Sequence, residues 1–287
     1  MKNASLIALI LAGSLTTANA ADMAVKAPAA APPVFGWTGF YEGLGVSGGY
    51  GWGNDSASLT GDVARGAGST VVNAINNGAV TIAPDLTTAA SRVKESGGTV
   101  GWQGGYNWQF DPKWLAGFET DIQWADIKGF TSFGVPSGSF SATSSERLQW
   151  YGTARARVGF IPLPQLLLYA TGGLAYGETH GSGSVLRSTT FNLGLPSPGN
   201  PTSINCTGLQ ICLAGSDSKV TAGWTAGAGE EYAVTQHITL KVEYLHVDLG
   251  THSFLLTPTI QPIGTGFITA QFKNAYDIVH AGFNYRF

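Results

Sequence analysis

Eight charged side chains stand where charge is costly: Glu119, Asp121, Arg155, Arg157, Glu231, Lys241, Glu243 and Arg286. Each lies in a segment whose alternate residues are large and apolar, so all eight fall on the polar side of period-two strands. Pairing 114–126 antiparallel to 146–161 brings Glu119 and Asp121 level with Arg155 and Arg157. Across the following turn Glu231 faces Lys241, while Glu243 and Arg286 share the inner parity of neighbouring strands. Such a set can line a narrow ion path or neutralise itself as a closed polar core. An eight-stranded barrel has room only for its own side chains, so the paired core is the reading adopted.

The other reactive residue types give weaker constellations. Five histidines, His180, His237, His246, His252 and His280, show no H-E-x-x-H or related spacing, so no metal site is expected. His246 and Asp248 stand at one strand end with Ser253 nearby, a set a barrel hydrolase could use. Polar residues leaving an apolar layer explain them more simply, and no catalytic residue is assigned. His180 and His252 fall near long connections, where a heme-like ligand would have to bind; this is a weaker reading, and no cofactor is expected. Gly43-Leu-Gly45-Val-Ser-Gly48 matches G-x-G-x-x-G, but no helix follows and glycine alternation continues through Tyr50 and Trp52, which makes it strand. Cys206 and Cys212 enclose five residues in a long connection, and in an exported chain they are expected to form a disulfide.

The elements that carry these residues read as eight strands. In 99–110, Val100, Trp102, Tyr106, Trp108 and Phe110 oppose Thr99, Gln103, Asn107 and glycines. The alternation recurs in 114–126, 146–161, 166–178, 219–234, 238–248 and 275–287, and less cleanly in 38–52, where Glu42 falls on the apolar face and suggests a rim position or a bulge. Connections of two to five residues, such as Asp111-Pro112-Lys113, alternate with long ones at about 54–95, 127–145, 179–218 and 249–274. Short turns at one end, long loops at the other and an even strand number describe an all-β, eight-stranded antiparallel transmembrane β-barrel, an up-and-down meander. Strands of 12 or so residues exceed the roughly 9–11 that cross hydrocarbon. Trp114, Phe110, Phe160, Tyr232 and Phe287 lie near the turns, as an interfacial aromatic girdle would. A soluble barrel would place the apolar face inside and the full charges outside; with lipid outside, both faces are satisfied.

Composition agrees. Charged residues make up 11% of 287, glycine numbers 40 and aromatics reach 11%, while mean hydropathy is only +0.09. A formal charge of −3 without a Lys/Arg cluster excludes a nucleic-acid partner. Residues 1–20 combine Lys2, the apolar run Leu6–Leu15 and Ala18-Asn19-Ala20, a signal peptide cut before residue 21. Residues 21–37 read as an Ala/Pro-rich periplasmic tether and 38–287 as the barrel with four long outer loops. Phe283, Tyr285 and Phe287 form an aromatic stripe on the closing strand, expected to act as an assembly signal for the barrel-assembly machinery.

The stretches GWTAGAGEEYAV (223–234), ITLKVEYLHVDLG (238–250), VHAGFNYRF (279–287) and GWTGFYEGLGVSGGYGWG (36–53) resemble the small porin-like outer-membrane proteins of alphaproteobacteria, the immunogenic or opacity-type group. The likeness covers most of 36–287 and is weakest in the long loops. It implies an OmpA-type transmembrane barrel without a peptidoglycan-binding domain, in the outer membrane of a Gram-negative cell, with lipid and lipopolysaccharide around it and loops free to meet a host or environmental ligand. Glu230 departs from the group, which usually has an apolar residue there, and leaves the lipid boundary at that point open. The implied role is a structural or surface-interaction barrel, with a small porin and a lipid-modifying barrel enzyme as alternatives.

Overall fold

Strands whose two faces differ in chemistry pair so that each face meets its own solvent, and an antiparallel sheet long enough to curl can remove its edges by closing. The computed structural model describes residues 35–47, 53–63, 89–134, 140–187, 191–193, 204–206, 210–259 and 266–287; the signal peptide and most of the tether lie outside them. The strands are β1 (Gly39–Ser47), β2 (Gly53–Val63), β3 (Ala89–Ser96), β4 (Thr99–Asp111), β5 (Trp114–Gly134), β6 (Phe140–Leu163), β7 (Leu166–Arg187), β8 (Phe191–Leu193), β9 (Ile204–Cys206), β10 (Gln210–Ala233), β11 (Ile238–Pro258) and β12 (Gly266–Arg286).

These make eight barrel staves. β1 and β2 are successive stretches of one stave, both paired with β12; β3 and β4 are successive stretches of the next, both paired with β5. All pairings are antiparallel, and β12 meets β1 with Tyr41 opposite Arg286 to close the ring. Phe287 N donates to Phe40 O at 3.1 Å at this closure. The short hairpin β8–β9 stands apart from the ring.

The apolar face is outside. Trp102, Trp108, Phe110, Trp114, Phe118, Trp124, Leu174, Trp224, Leu240 and Phe283 are exposed, whereas Glu119, Asp121, Arg155, Arg157, Glu231, Lys241 and Glu243 are buried. One aromatic belt lies beside the short turns, where Trp114 packs on Phe160 (ring centroids 5.2 Å) and Tyr285 on Phe287 (5.3 Å). A second contains Trp124, Trp150, Tyr176, Trp224 and Tyr244. From Trp114 to Trp124 is ten residues, roughly 33 Å along the strand and about 23 Å of height at 45° tilt, close to the ~25 Å apolar band of membrane barrels. Glu42 lies opposite Tyr285 in unbroken register, which makes it a rim residue rather than a bulge. Glu230 is exposed between Ala228 and Tyr232, one rung inside the same belt.

Two expectations change. The stretches read as loops at 127–145, 179–218 and 249–274 are largely strand, because β5–β7 and β10–β12 run 21–24 residues. The barrel therefore continues past the outer belt as a collar. The alternation read straight through 146–161 is also broken: Leu148 is buried and Arg147, which shares the parity of Arg155 and Arg157, is exposed, because the register shifts between Leu148 and Trp150 and the extra residue turns the alternation over. A second shift, between Asp248 and Gly250, does the same on β11; Gly250 takes φ +77° there, and its N–H donates to Asp248 Oδ1 at 2.8 Å.

Candidate functional site

The lumen is stacked in layers, because inward residues at one height come from every stave. At the mouth beside the short turns, Phe35, Trp37, Leu115, Ile161, Leu167, Tyr169 and Ala233 form an apolar cluster. Trp37 is fully buried; its N accepts no role in the sheet but donates to Gln109 Oε1 (3.0 Å), and its indole Nε1 donates to Pro164 O (3.1 Å). Residues 35–37 thus plug the barrel end, where the sequence suggested tether. Arg286 belongs to this mouth: its Nη2 donates to Gly36 O at 2.6 Å and its guanidinium lies over the Phe35 ring, 4.6 Å from the centroid.

Above the plug lies the charged layer. Arg155 is held by three carboxylates: Nη2 reaches Glu119 Oε1 (2.5 Å) and Asp121 Oδ2 (3.0 Å), and Nη1 reaches Glu243 Oε1 (2.8 Å). Lys241 Nζ contacts Glu119 (2.7 Å), Glu243 (3.3 Å) and Gln103 Oε1 (2.9 Å). Arg157 Nη2 donates to Glu231 Oε2 (2.6 Å), and its guanidinium sits 3.6 Å from the Tyr169 ring centroid. The structure thus brings seven of the eight predicted lumen charges into one network and leaves out Arg286. Glu231 is opposite Lys241 in register, yet its ion partner is Arg157, because lumen side chains reach across the barrel as readily as to the adjacent strand.

Sequence reasoning missed the neutral members. Tyr41 Oη donates to Glu119 Oε2 (2.8 Å), Asn284 Nδ2 to Glu231 Oε1 (2.9 Å) and Gln103 Nε2 to Asn284 Oδ1 (2.5 Å); the Thr153 and Thr239 hydroxyls donate to Asp121 and Glu231. Tyr41 shares the parity of Gly43 and Gly45, the signal that marks it as inward. Glycines make its room: a Cβ on Gly105 would stand 2.5 Å from the Tyr41 hydroxyl, and one on Gly229 would stand 2.6 Å from that of Tyr169.

A second apolar layer covers the charges from the outer side: Ala125, Ile127, Leu148, Tyr151, Ala175, Leu245, Val247, Leu249, Tyr276 and Ile278. Tyr151 Oη lies 2.6 Å from His280 Nε2 where the two layers meet. Charges enclosed by apolar layers at both ends are removed from water, and such groups are tolerated only when paired.

The collar is built differently. β10 pairs with β7 throughout, but its ladder with β11 lapses between Ala214 and Trp224. Asp217 and Lys219 point to the lumen side by parity and are nonetheless exposed. His252, fully buried on β11, bridges this seam: its Nε2 lies 2.9 Å from Asp217 Oδ2. The hydrogen bond from His252 holds the Asp217 carboxyl below the usual aspartate range.

The remaining candidates separate. His246 Nδ1 pairs with Asp277 Oδ1 (2.8 Å), to which Tyr244 Oη also donates (2.6 Å), while Asp248 caps Gly250; His246 and Asp248 are not brought together as a dyad. His180 faces outward, 2.8 Å from Ser218 Oγ, while His252 faces the lumen, so the two do not share a pocket. Cys212 is disulfide-bonded; the side chain of Cys206 lies outside the described residues. Phe283, Tyr285 and Phe287 are exposed on the closing strand's outer face.

Comparison with known proteins agrees with this architecture. The chain is 33% identical over 287 residues to the 31 kDa outer-membrane immunogenic protein of Brucella melitensis biotype 1, covering 98% of each. It is 29% identical over 150 residues to the 22 kDa outer membrane protein of Rhizobium leguminosarum bv. viciae, covering 52% of each. Among solved structures it is similar to the outer membrane protein OprG of Pseudomonas aeruginosa, with TM-score 0.44 and 12% identity over 87% of this chain and 96% of that one. Its place is the bacterial outer membrane. Residues 6–287 match the outer membrane protein beta-barrel domain, and the chain belongs to that family.

Proposed function

We propose that the protein is a surface barrel with a closed lumen, whose outer collar is the part that meets other molecules. The observation that carries this reading is the sealed charge layer: Arg155 bound to Glu119, Asp121 and Glu243, with apolar layers above and below it. An ion path needs continuous water, and the apolar layers offer it few polar atoms, chiefly the hydroxyls of Tyr151 and Tyr276 in one and of Tyr169 in the other. The Brucella relatives are named as immunogenic, and a collar held above the lipid by strands of more than 20 residues is the surface from which this chain would act as an antigen too. The aromatic stripe Phe283, Tyr285 and Phe287 stands on the strand that closes the ring, which suits recognition by the barrel-assembly machinery. Pure refolded protein in a planar bilayer should give no large, steady current steps; stable porin-like steps that survive repurification would replace this reading with that of a small porin.

A further inference from the structure

The outer flank of the collar carries an ordered set of chemistries on four adjacent staves, β5, β6, β7 and β10. At the top of the lipid-facing band stand Trp124, Trp150, Tyr176 and Trp224. The next outward rungs hold charge: Asp126 lies between two cations, 2.9 Å from Lys128 Nζ and 2.9 Å from Arg147 Nη2, all three about half exposed. Glu178 is occupied by the Trp150 indole N–H at 2.8 Å. Lys128, Arg147, His180 and Ser218 form one continuous rung across the four staves. Above it the register lines up Phe130, Ser145, Ser182 and Ser216, and then Ser132, Thr143 and Ser184.

These upper rungs enclose a groove of about 440 Å³ lined by Phe130, Thr143, Ser145, Ser182, Ser184 and Ser216. Its hydroxyls are fixed in cross-strand pairs, Thr143 Oγ1 to Ser184 Oγ and Ser145 Oγ to Ser182 Oγ, each 2.7 Å. A hydroxyl in such a pair keeps further donor or acceptor capacity. The Phe130 ring is 64% exposed at the groove edge, an apolar plate beside a row of hydroxyls. Aromatic faces next to fixed hydroxyls suit the alternating apolar and hydroxylated surface of a sugar ring. From Trp124 to Phe130 is six residues, roughly 20 Å along the strand and about 14 Å of height at 45° tilt, so the groove, near the outer ends of β5–β7 and β10, still lies within reach of a large glycolipid headgroup.

Upward from the bilayer the flank presents an apolar surface, a rung with Asp126 and Glu178, the cations Lys128 and Arg147 that flank Asp126, and then hydroxyls beside an aromatic ring; acyl chains, phosphates and sugars follow one another in that direction in a phosphorylated glycolipid. We propose that this flank binds the lipopolysaccharide of its own leaflet, with Lys128 and Arg147 taking the phosphates and the Phe130–Ser145–Ser182–Ser216 groove taking the first sugars. The site is independent of whether the lumen conducts.

The test measures binding to purified, folded protein in detergent by native mass spectrometry, with three probes: rough lipopolysaccharide bearing core sugars, lipid A without them, and the free core oligosaccharide. Wild type should prefer the rough lipopolysaccharide over lipid A by about tenfold, the order expected of a few added hydrogen bonds. Ser145→Ala with Ser182→Ala should remove most of that preference and leave lipid A binding unchanged; Lys128→Gln with Arg147→Gln should weaken both lipids together. All four residues are on the barrel's outer surface, and folding of each variant is checked by its heat-dependent gel migration. Equal binding of the two lipids by wild type, or an unchanged preference in the serine variant, would overturn the proposal. Free oligosaccharide binding as tightly as the whole glycolipid would also overturn it, in favour of a site for unanchored glycans.

Discussion

The membrane-level barrel and the collar above it are made by the same strands, yet they are stabilised by opposite means. Within the band every stave is backbone-paired on both sides, and the interior is filled by ion pairs between two apolar layers. In the collar the β10–β11 ladder lapses over Gly215–Gly223, and His252 reaches across the seam to Asp217. Hydrocarbon explains the contrast. An unpaired backbone group facing lipid costs several kcal/mol, whereas water at the collar satisfies it. Closure is enforced where the solvent cannot hydrogen-bond and relaxed where it can.

The sharpest way to break this contrast is to remove the same chemistry from both regions. Arg155→Ala strands three buried carboxylates and should destabilise the barrel by about 3–5 kcal/mol, measured by urea unfolding in lipid vesicles. Arg147→Ala removes an exposed ion pair with Asp126 and should cost less than about 1 kcal/mol. Similar losses at the two sites would end the distinction.

Trp37→Ala should come next. It empties the plug of its largest fully buried side chain, at about 3 kcal/mol, the low end for an aromatic-to-alanine change because the barrel mouth can relax. Full stability in the same assay would return residues 35–37 to the tether. Removing Phe287 should then lower the yield of folded barrel in cells while altering unfolding of the purified protein only slightly, since its ring is 72% exposed. Unchanged outer-membrane levels would count against the assembly role.

The smallest effect belongs to the seam and depends on pH. A carboxyl held below its usual range in the folded protein adds stability above its unfolded value and loses it as pH falls through the folded one. Asp217 is such a group. At neutral pH, Asp217→Asn should therefore open the seam to protease faster than wild type. Under pepsin, the difference should disappear as pH drops below the ordinary aspartate range. A difference persisting there would mean that the Asp217 carboxylate does not hold the seam.

Much of this was legible in the residues, and the gaps have physical causes. Strand parity alone identified the inward charges on β5, β10 and β11, because lipid demands a uniform outer face and leaves the other face conspicuous. Adjacent-strand register set Glu119 and Asp121 beside Arg155, as the ion pairs have it, but it failed for Glu231, which chose Arg157 over Lys241 because the barrel's closure brings distant staves within side-chain reach. The shifts near Gln149 and Leu249 were illegible, since one extra residue reverses every later parity without altering composition. The collar was read as loop because runs such as Ser182-Gly183-Ser184 lack an apolar face, and in water a strand needs none. Trp37 was hidden in a Pro/Ala-rich stretch whose destination, the lumen, exists only after the ring closes.

Amide hydrogen exchange tests the central contrast most directly, since it reads both regions in one folded molecule. Amides of β6 around Thr153–Val158 and of β10 around Gly227–Glu231 should exchange only with global unfolding. Those of β10 between Gly215 and Gly223 that face β11 should exchange faster by orders of magnitude, through local opening. Equal protection along the whole of β10 would contradict the account, because it would mean that the collar is locked as firmly as the barrel within the membrane.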